Sequence, residues 1–189
     1  MTEIHEQILV ARERRSERIG RALSAFPADY IVSITLNIPG PEKVLPAGSQ
    51  LIQLAQDLLL PALTDCGCAI LHQECHSGAA GVAALLVASP GPVGLDDSVS
   101  LRKKIKRLLV EIEETDPLGR LLDLDLWQGQ EQVKRSELGL PPRPCLICEK
   151  PAVLCARSQS HPWTQLRERI DRLLQSDPRL CHNQEVRGE

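Results

Sequence analysis

The stretch PLGRLLDLDLW, residues 117–127, contains the pattern that most constrains this protein: a DLD triplet inside an apolar run. If the run is a β-strand, Asp123 and Asp125 stand at positions i and i+2, so both carboxylates leave the same face with their Cα atoms about 7 Å apart. Mg²⁺ usually binds one or two carboxylates, and water and substrate phosphates complete its octahedral shell. The triplet therefore predicts a magnesium site on a strand.

Leucines surround the triplet and favour burial of the strand. Burying two acids costs on the order of several kcal/mol unless a cation compensates them, which supports the magnesium site. Two other interpretations are open at this point. The segment can be an amphipathic edge strand with its acids in water, or Arg120 and a neighbouring lysine can neutralise the acids.

A cysteine cluster follows in LPPRPCLICEKPAVLCARSQSH, residues 140–161. Cys145, Cys148 and Cys155 have the spacing C-x2-C-x6-C, and His161 comes next. Thiolates and imidazoles at short loop spacings are the ligands that tetrahedral zinc selects, so these four residues form a candidate zinc site. Only one CxxC pair is present, and three reduced cysteines packed as small apolar side chains are the alternative. A redox CxxC is disfavoured because the motif does not open a helix after a strand.

His161 has two further interpretations besides that of a zinc ligand. It can act as a general base, or it can be a solvated histidine at the start of the final helix.

Composition indicates a globular, enzyme-sized protein. The chain has 189 residues, of which 42% are hydrophobic, enough for a single domain over residues 1–189. A net charge of −3 argues against a nucleic-acid partner, and the basic run at residues 103–107 is typical of a solvated helix face. Seven cysteines without a signal peptide or a membrane-spanning apolar stretch predict a reducing, cytoplasmic location and no membrane partner.

Hydrophobic periodicity predicts an α+β fold. The expected helices are Glu3–Ser24, Gly48–Cys66 with Pro61 kinking or ending it, Asp96–Glu114 and Pro162–Leu174. The expected strands are Tyr30–Ile38, Cys68–Cys75, Val82–Ala88 and Leu121–Trp127, with an antiparallel return over Glu131–Lys134. The prolines at 141, 142 and 144 predict an extended loop that carries the cysteines.

Four segments together resemble the citrate lyase holo-acyl-carrier-protein synthase family, also called apo-citrate lyase phosphoribosyl-dephospho-CoA transferases. They are LVARERR at residues 9–15, IPGPEK at 38–43, DPLGRLLDLDLW at 116–127 and LGLPPRPCLICEKPAVLCARSQSH at 138–161. The resemblance covers nearly the whole chain. It implies transfer of the 5″-phosphoribosyl-3′-dephospho-CoA group from its triphosphate precursor to a serine of the apo acyl-carrier (gamma) subunit of citrate lyase, with release of diphosphate.

A reaction of this nucleotidyltransferase type implies a particular fold and site. The expected fold is a nucleotidyltransferase-like mixed sheet flanked by helices, with residues 140–189 forming a cysteine loop and a terminal helix. A metal held by Asp123 and Asp125 would activate the attacking hydroxyl and neutralise the departing diphosphate. Arg120 is the third predicted catalytic residue, because guanidinium suits bidentate phosphate contact; its alternative is a salt bridge to an acid.

Other residues are predicted to bind the substrate. These are Arg12, Arg15, Gly119 and Arg143; arginines on an amphipathic helix are also commonly solvated. The nucleotidyltransferase fold usually has its glycine pair about ten residues before the DxD triplet, at a helix start. Here Gly119 lies closer, so the phosphate-binding loop has no assigned position. Three acids are unranked candidates for a third carboxylate: Glu111, Glu113 and Glu131.

Two alternative functions are open. One is the related synthase that serves malonate decarboxylase, although the segment from Cys145 to Cys155 favours citrate lyase. The other is a non-catalytic partner of an acyl-carrier subunit organised by a zinc loop. In that case the cysteines, and not the aspartates, would control function.

Overall fold

A computed structural model describes residues 3–91 and 95–181. The helices are α1 (Glu3–Ala25), α2 (Gly48–Asp65), α3 (Leu95–Thr115), α4 (Ala152–Ser158), α5 (Trp163–Ser176) and α6 (Pro178–Cys181). The strands are β1 (Tyr30–Leu36), β2 (Ala69–Gly78), β3 (Gly81–Ser89), β4 (Leu122–Gln128) and β5 (Glu131–Val133). Short 3₁₀ turns cover Gly119–Leu121 and Arg135–Leu138. Among the described helices, none combines the length and apolarity needed to cross a membrane.

The five strands form one sheet in the order β2-β3-β1-β4-β5, and every neighbouring pair is antiparallel. The expected α+β class, with helices flanking a sheet and a cysteine cluster near the C-terminus, is confirmed. The expected mixed sheet is instead antiparallel. The reason is topological: α3 connects β3 to β4, which run in the same direction, but β1 is inserted between them.

Side-chain alternation gives the sheet two different faces. Leu124 of β4 lies on the face that packs against α2 and α3 in the main core. Trp127 lies on the opposite face and packs with Ile19 in the C-terminal half of α1. Asp123 and Asp125 are four and two residues before Trp127 on β4 and therefore share its face. Both acids point to the α1 side of the sheet.

Most predicted elements are present, with differences at their ends. Pro61 lies inside α2 without ending it, and β1 stops at Leu36. The DLD strand begins at Leu122, because Leu121 belongs to the preceding 3₁₀ turn. The cysteine loop contains a helix, α4, that the proline-rich sequence did not indicate.

The C-terminal helices are attached to the sheet by a second apolar cluster. Leu118 and Leu121, just before β4, pack with Ile170 and Leu173 of α5. This contact holds the end of the cysteine segment beside the strand that carries the two aspartates.

Candidate functional site

Asp123 and Asp125 lie side by side on β4 and face small polar residues of β1. Thr35 is the direct cross-strand neighbour of Asp123, and Ser33 is that of Asp125. Thr35 Oγ1 donates a 3.4 Å hydrogen bond to Asp123 Oδ2. The side chain of Asp123 is 51% exposed, so this carboxylate is open to a ligand.

Asp125 is the more buried of the two acids. Burial raises the pKa of Asp125, and the neighbouring charge of Asp123 raises it further; Lys106 and a hydrogen bond from Gln132 oppose this rise. A bound cation would favour the ionised form of both carboxylates. The pair therefore has the charge and spacing of a cation site.

β4 is an interior strand, but β5 covers only part of its outer edge. The β5 pairing begins at Leu126, so the backbone of Leu122 and Leu124 has no strand partner on that side. Side chains provide the hydrogen bonds that a neighbouring strand would provide here. Leu124 N–H donates to Glu113 Oε1 at 2.8 Å, and Lys106 Nζ donates to Leu124 O at 3.1 Å. The DLD triplet is therefore fixed by buried charged groups, which differs from the water-exposed edge strand considered from the sequence.

Glu113 stands apart from the other candidates for a third carboxylate. It is 4% exposed and borders the same cavity as the two aspartates, whereas Glu111 and Glu131 are exposed and do not border it. Both of its oxygens are engaged, because Arg135 Nη2 donates to Oε2 at 2.9 Å while Oε1 accepts from Leu124. Glu113 therefore positions β4.

A cavity of about 380 Å³ lies beside the two aspartates. Four cationic residues also border it, and they are Lys134, Arg135, Arg143 and Lys106. Carboxylates and cations around one cavity suit a phosphate group that is bridged to the protein by a metal ion.

Arg143 links the aspartate strand to the cysteine segment. Its Nη2 donates to the carbonyl oxygens of Gly119, Arg120 and Leu122, the last at 2.7 Å. Its Nη1 lies 3.7 Å from both Asp123 Oδ1 and Glu113 Oε1. Predicted as a substrate-binding residue, Arg143 thus borders the cavity and also holds β4 in position.

Two predicted residues of the preceding turn contact protein groups. Arg120 Nη2 donates to Pro144 O at 2.5 Å, so its guanidinium faces the cysteine segment. Gly119 is buried, and its N–H donates to Asp116 O. A Cβ at Gly119 would lie 2.1 Å from Ile112 O, so this close backbone approach by itself requires glycine.

The predicted arginines of α1 border two different cavities. Arg12 borders one of about 860 Å³ together with Gly40 and Lys43. Two of the segments that carry the family resemblance, LVARERR and IPGPEK, therefore border the same cavity. Burial lowers the pKa of Lys43, and Arg12 lowers it further. Arg15 borders a separate cavity of about 590 Å³ beside the β2–β3 hairpin.

The four predicted zinc ligands converge. The ligand atoms of Cys145, Cys148, Cys155 and His161 all lie within 4.8 Å of one another. Cys148 Sγ is 3.6 Å from Cys155 Sγ and 3.3 Å from His161 Nε2. In a tetrahedral zinc site the ligand atoms are roughly 3.5–3.8 Å apart, as follows from metal–ligand bonds of about 2.0–2.3 Å. This group can hold a metal ion.

Local backbone structure produces this convergence. Cys145 N–H donates to Lys150 O at 2.7 Å and closes a tight loop around Cys148. Ile147 N–H points at Cys145 Sγ at 3.5 Å. Burial opposes ionisation of Cys145, but amide hydrogen bonds, the first from Ile147, outweigh it and lower the pKa of this thiol. The unpredicted helix α4 then brings Cys155 back to the loop.

Comparison with known proteins agrees with the resemblance seen in the sequence. Residues 4–177 match the family model described as apo-citrate lyase phosphoribosyl-dephospho-CoA transferase. Proteins of that name from Escherichia coli O1:K1 and Shigella flexneri serotype 5b are each 32% identical over 177 residues, covering 93% of this chain and 90% of the relative. One from Escherichia coli O139:H28 is 31% identical over the same length. The chain belongs to the apo-citrate lyase phosphoribosyl-dephospho-CoA transferase family.

Proposed function

We propose that this protein is the transferase that attaches the 5″-phosphoribosyl-3′-dephospho-CoA group to a serine of the apo acyl-carrier (gamma) subunit of citrate lyase. The donor is 2′-(5″-triphosphoribosyl)-3′-dephospho-CoA. The observation that carries the proposal is the cavity beside β4, where Asp123 and Asp125 face Lys134, Arg135 and Arg143. We infer a single transferase domain over residues 1–189.

The reaction requires a new bond between the serine oxygen and the phosphorus next to the ribose. The bond from that phosphorus to the diphosphate breaks, and the serine proton leaves to a base. Asp123 and Asp125 would hold Mg²⁺, which supplies charge neutralisation at the reacting phosphate. Lys134 is exposed and borders the cavity, and it would contact the departing diphosphate.

The test is transfer to the apo gamma subunit, followed by the intact mass of the carrier. With donor and Mg²⁺ we expect a gain of one phosphoribosyl-dephospho-CoA group, lost in EDTA and restored by added Mg²⁺. Asp123→Asn should lower the rate at least a hundredfold, since a metal ligand is removed, an effect on the order of 3 kcal/mol. Asp65→Asn, an exposed acid at the end of α2, is the matched control.

Three results would contradict the proposal. Full transfer by Asp123→Asn would remove the role given to the aspartates. Transfer to the malonate decarboxylase carrier, and not to the citrate lyase carrier, would favour the related synthase. Binding of the gamma subunit without transfer, lost in Cys148→Ser and kept in Asp123→Asn, would favour the non-catalytic zinc-loop partner.

We also propose that the cysteine group binds zinc in a structural role. Three sulfur donors and one imidazole in a closed set of four match structural zinc sites, which leave no open position. His161 Nε2 faces Cys148 Sγ, which favours a ligand role over that of a general base. Reduced cysteines suit the cytoplasm, where we place the reaction.

The metal content of the purified protein tests this second proposal. We expect one zinc per chain by elemental mass spectrometry. Cys148→Ser should lower it to a small fraction, while Cys75→Ser, an exposed cysteine on β2, should leave it unchanged. A zinc-free wild-type protein that gains no stability from added zinc would contradict the assignment.

A further inference from the structure

A second charged cavity lies on the same face of the sheet as the aspartates, beside the strands β2 and β3 at the other end of the strand order. It has a volume of about 590 Å³ and lies between α1 and the β2–β3 hairpin. Arg14, Arg15 and Arg18 of α1 border it, and His76 of β2 lies opposite them. None of these residues is needed to hold the metal or the reacting phosphate, so the cavity requires its own explanation.

Two of the arginines that border this cavity have no acidic partner in the described part of the chain. Arg15 and Arg18 are half-buried, and neither forms an ion pair among residues 3–91 and 95–181. They are three residues apart on one helix face, where like charges repel. Glu3 and Glu6 also border the cavity, but the nearest pair, Glu6 and Arg15, is nine residues apart, about 13.5 Å along the helix. A bound anion would remove this repulsion.

His76 adds an unused hydrogen-bonding atom to the same cavity. Its Nδ1 is buried and has no hydrogen-bond partner in the described part of the chain. Burial lowers the pKa of His76, Arg18 and Arg15 lower it further, and Glu74 opposes them. The histidine and the two arginines are therefore close enough to act on one ligand.

The hairpin turn leaves space beside these groups. It consists of Gly78, Ala79, Ala80 and Gly81, and all four residues border the cavity. A Cβ at Gly78 would lie 3.7 Å from Ala11 of α1, so the hairpin packs closely against the helix. Gly81 has φ +91°, and a Cβ there would lie 2.8 Å from Lys43 O. The turn is held from both sides, which makes the cavity a fixed feature.

Strand register gives the distance between this cavity and the aspartates. Glu74, Leu85, Ser33 and Asp125 lie in one row across β2, β3, β1 and β4. Three strand spacings separate the ends of this row, which is about 14 Å. His76 lies two residues after Glu74 on β2 and shares its face of the sheet. Asp123 lies two residues before Asp125 on β4 and shares the same face. Both sites therefore lie on the α1 face, about three strands apart.

The proposed donor has two polyphosphate groups at a matching separation: a triphosphate at the reacting end and a diphosphate in the dephospho-CoA part. Its leaving diphosphate is bonded directly to the reacting phosphorus and must stay beside Asp123 and Asp125. The diphosphate of the dephospho-CoA part is separated from that phosphorus by two linked ribose rings, a distance of the same order as three strand spacings. The remote diphosphate is therefore the anion that fits the second cavity.

We propose that the cavity between α1 and the β2–β3 hairpin binds the diphosphate of the dephospho-CoA part of the donor. Arg15 and Arg18 neutralise its charge, and His76 hydrogen-bonds one of its oxygens. This inference rests on the proposed function, and it names the second of two anion subsites that hold the donor across the sheet.

Dephospho-CoA itself is the probe, because it carries the remote diphosphate and cannot react. By titration calorimetry we expect Arg18→Ala and Arg15→Ala to weaken its binding at least tenfold. Arg21→Ala is the matched control, since Arg21 is exposed on the same helix and does not border this cavity. In transfer assays Arg18→Ala should raise KM for the donor more than it lowers kcat.

Binding of inorganic diphosphate with Mg²⁺ distinguishes the site of the leaving diphosphate from the site of the dephospho-CoA diphosphate. Its binding should depend on Asp123 and not on Arg18. If Arg18→Ala weakens inorganic diphosphate and leaves dephospho-CoA unchanged, the cavity holds the leaving group and the proposal is wrong. Equal dephospho-CoA affinity in all variants would also overturn it.

Hydrogen exchange of the wild-type protein provides a measurement that needs no variant. Dephospho-CoA should slow exchange in residues 11–18 and 76–81, and absence of protection there would contradict the proposal. Because binding is measured without turnover, a protein that binds dephospho-CoA in this cavity but does not modify the gamma subunit would refute the proposed function alone.

Discussion

Asp125 lies on β4 beside Asp123, and burial together with that neighbouring charge raises its pKa. The folded protein therefore binds the proton of Asp125 more tightly than the unfolded chain does. Stability falls as pH rises from the ordinary aspartate pKa through the raised value, and the full cost is present above that value. An ionised Asp125 is thus useful for holding a cation and unfavourable for folding.

Replacement of Asp125 by asparagine removes this cost. Asp125→Asn should raise the free energy of unfolding at pH 7 by up to about 1 kcal/mol, while transfer activity is lost. Below the ordinary aspartate pKa the gain should disappear, because both states are then protonated. Urea unfolding at neutral and acidic pH measures the effect. An equal or lower stability of the variant at pH 7 would contradict the assigned environment.

Gly40 shows a second constraint at a single residue. Its φ is +85°, and the indole ring of Trp163 lies where a side chain would be: a Cβ would be 2.2 Å from Cζ3. This contact joins the IPGPEK segment to the start of α5. The turn therefore needs glycine both for its backbone conformation and for close packing.

Gly40→Ala should lower the free energy of unfolding by about 3 kcal/mol, since it combines left-handed backbone strain with overpacking. Gly20→Ala is the control, because Gly20 is exposed within α1 and a Cβ there meets nothing within 4 Å. That substitution should stabilise the protein by about 0.5–1 kcal/mol through helix propensity. Equal effects of the two variants in thermal unfolding would show that the packing on Trp163 is unimportant.

At the scale of elements, β4 depends on side chains to complete its hydrogen bonding. β5 has three residues and reaches only the end of β4 that contains Leu126. Glu113 and Lys106 of α3 satisfy the backbone of Leu124, and both side chains are 4% exposed. The geometry of the DLD triplet is thus set by α3 as much as by the neighbouring strands.

Glu113→Gln tests this role. Glutamine retains an oxygen that can accept from Leu124, but it leaves Arg135 and Arg143 without their buried counter-charge. We expect a loss of about 3 kcal/mol in urea unfolding. The adjacent variant Glu114→Gln breaks only an exposed pair with Arg135 and should cost less than about 1 kcal/mol. Similar losses for both variants would mean that Glu113 is an ordinary surface acid.

Helices and strands were predicted correctly where the hydrophobic pattern lies within a single element. Alternation in Tyr30–Ile38 and helical spacing in Gly48–Cys66 indicated β1 and α2 because each signal lies within one element. Helix α4 was not predicted, since its seven residues are too few for a helical period and follow a run of prolines. The antiparallel sheet was not predicted either, because the insertion of β1 between β3 and β4 is a long-range choice.

At the scale of the whole molecule, the cysteine segment and the aspartate strand form one connected unit. Arg143, just before the first cysteine, donates to the carbonyl of Leu122 at the start of β4. Arg120, just before β4, donates in return to Pro144 O. Disorder in the cysteine segment should therefore reach the site of the aspartates.

Disruption of the proposed zinc site tests this coupling. In Cys148→Ser, or after chelation, we expect faster hydrogen exchange both in residues 143–161 and in residues 119–125, and a Tm lower by at least about 5 °C. Transfer activity should fall together with the Tm. Cys75→Ser should match the wild type. Faster exchange confined to the cysteine segment would show that the two sites are mechanically independent.

The sequence by itself determined the features that lie within a few residues: the shared face of Asp123 and Asp125, the spacing of the zinc candidates, the α+β class and the family. These follow from strand and helix periodicity and from short motifs. Only the tertiary structure decided how Glu113 and Lys106 hold β4, how Arg120 and Gly119 contact protein groups, and how His76 meets the arginines of α1. Such contacts join residues far apart in the chain, and no local pattern records which buried charges will meet once the sheet has formed.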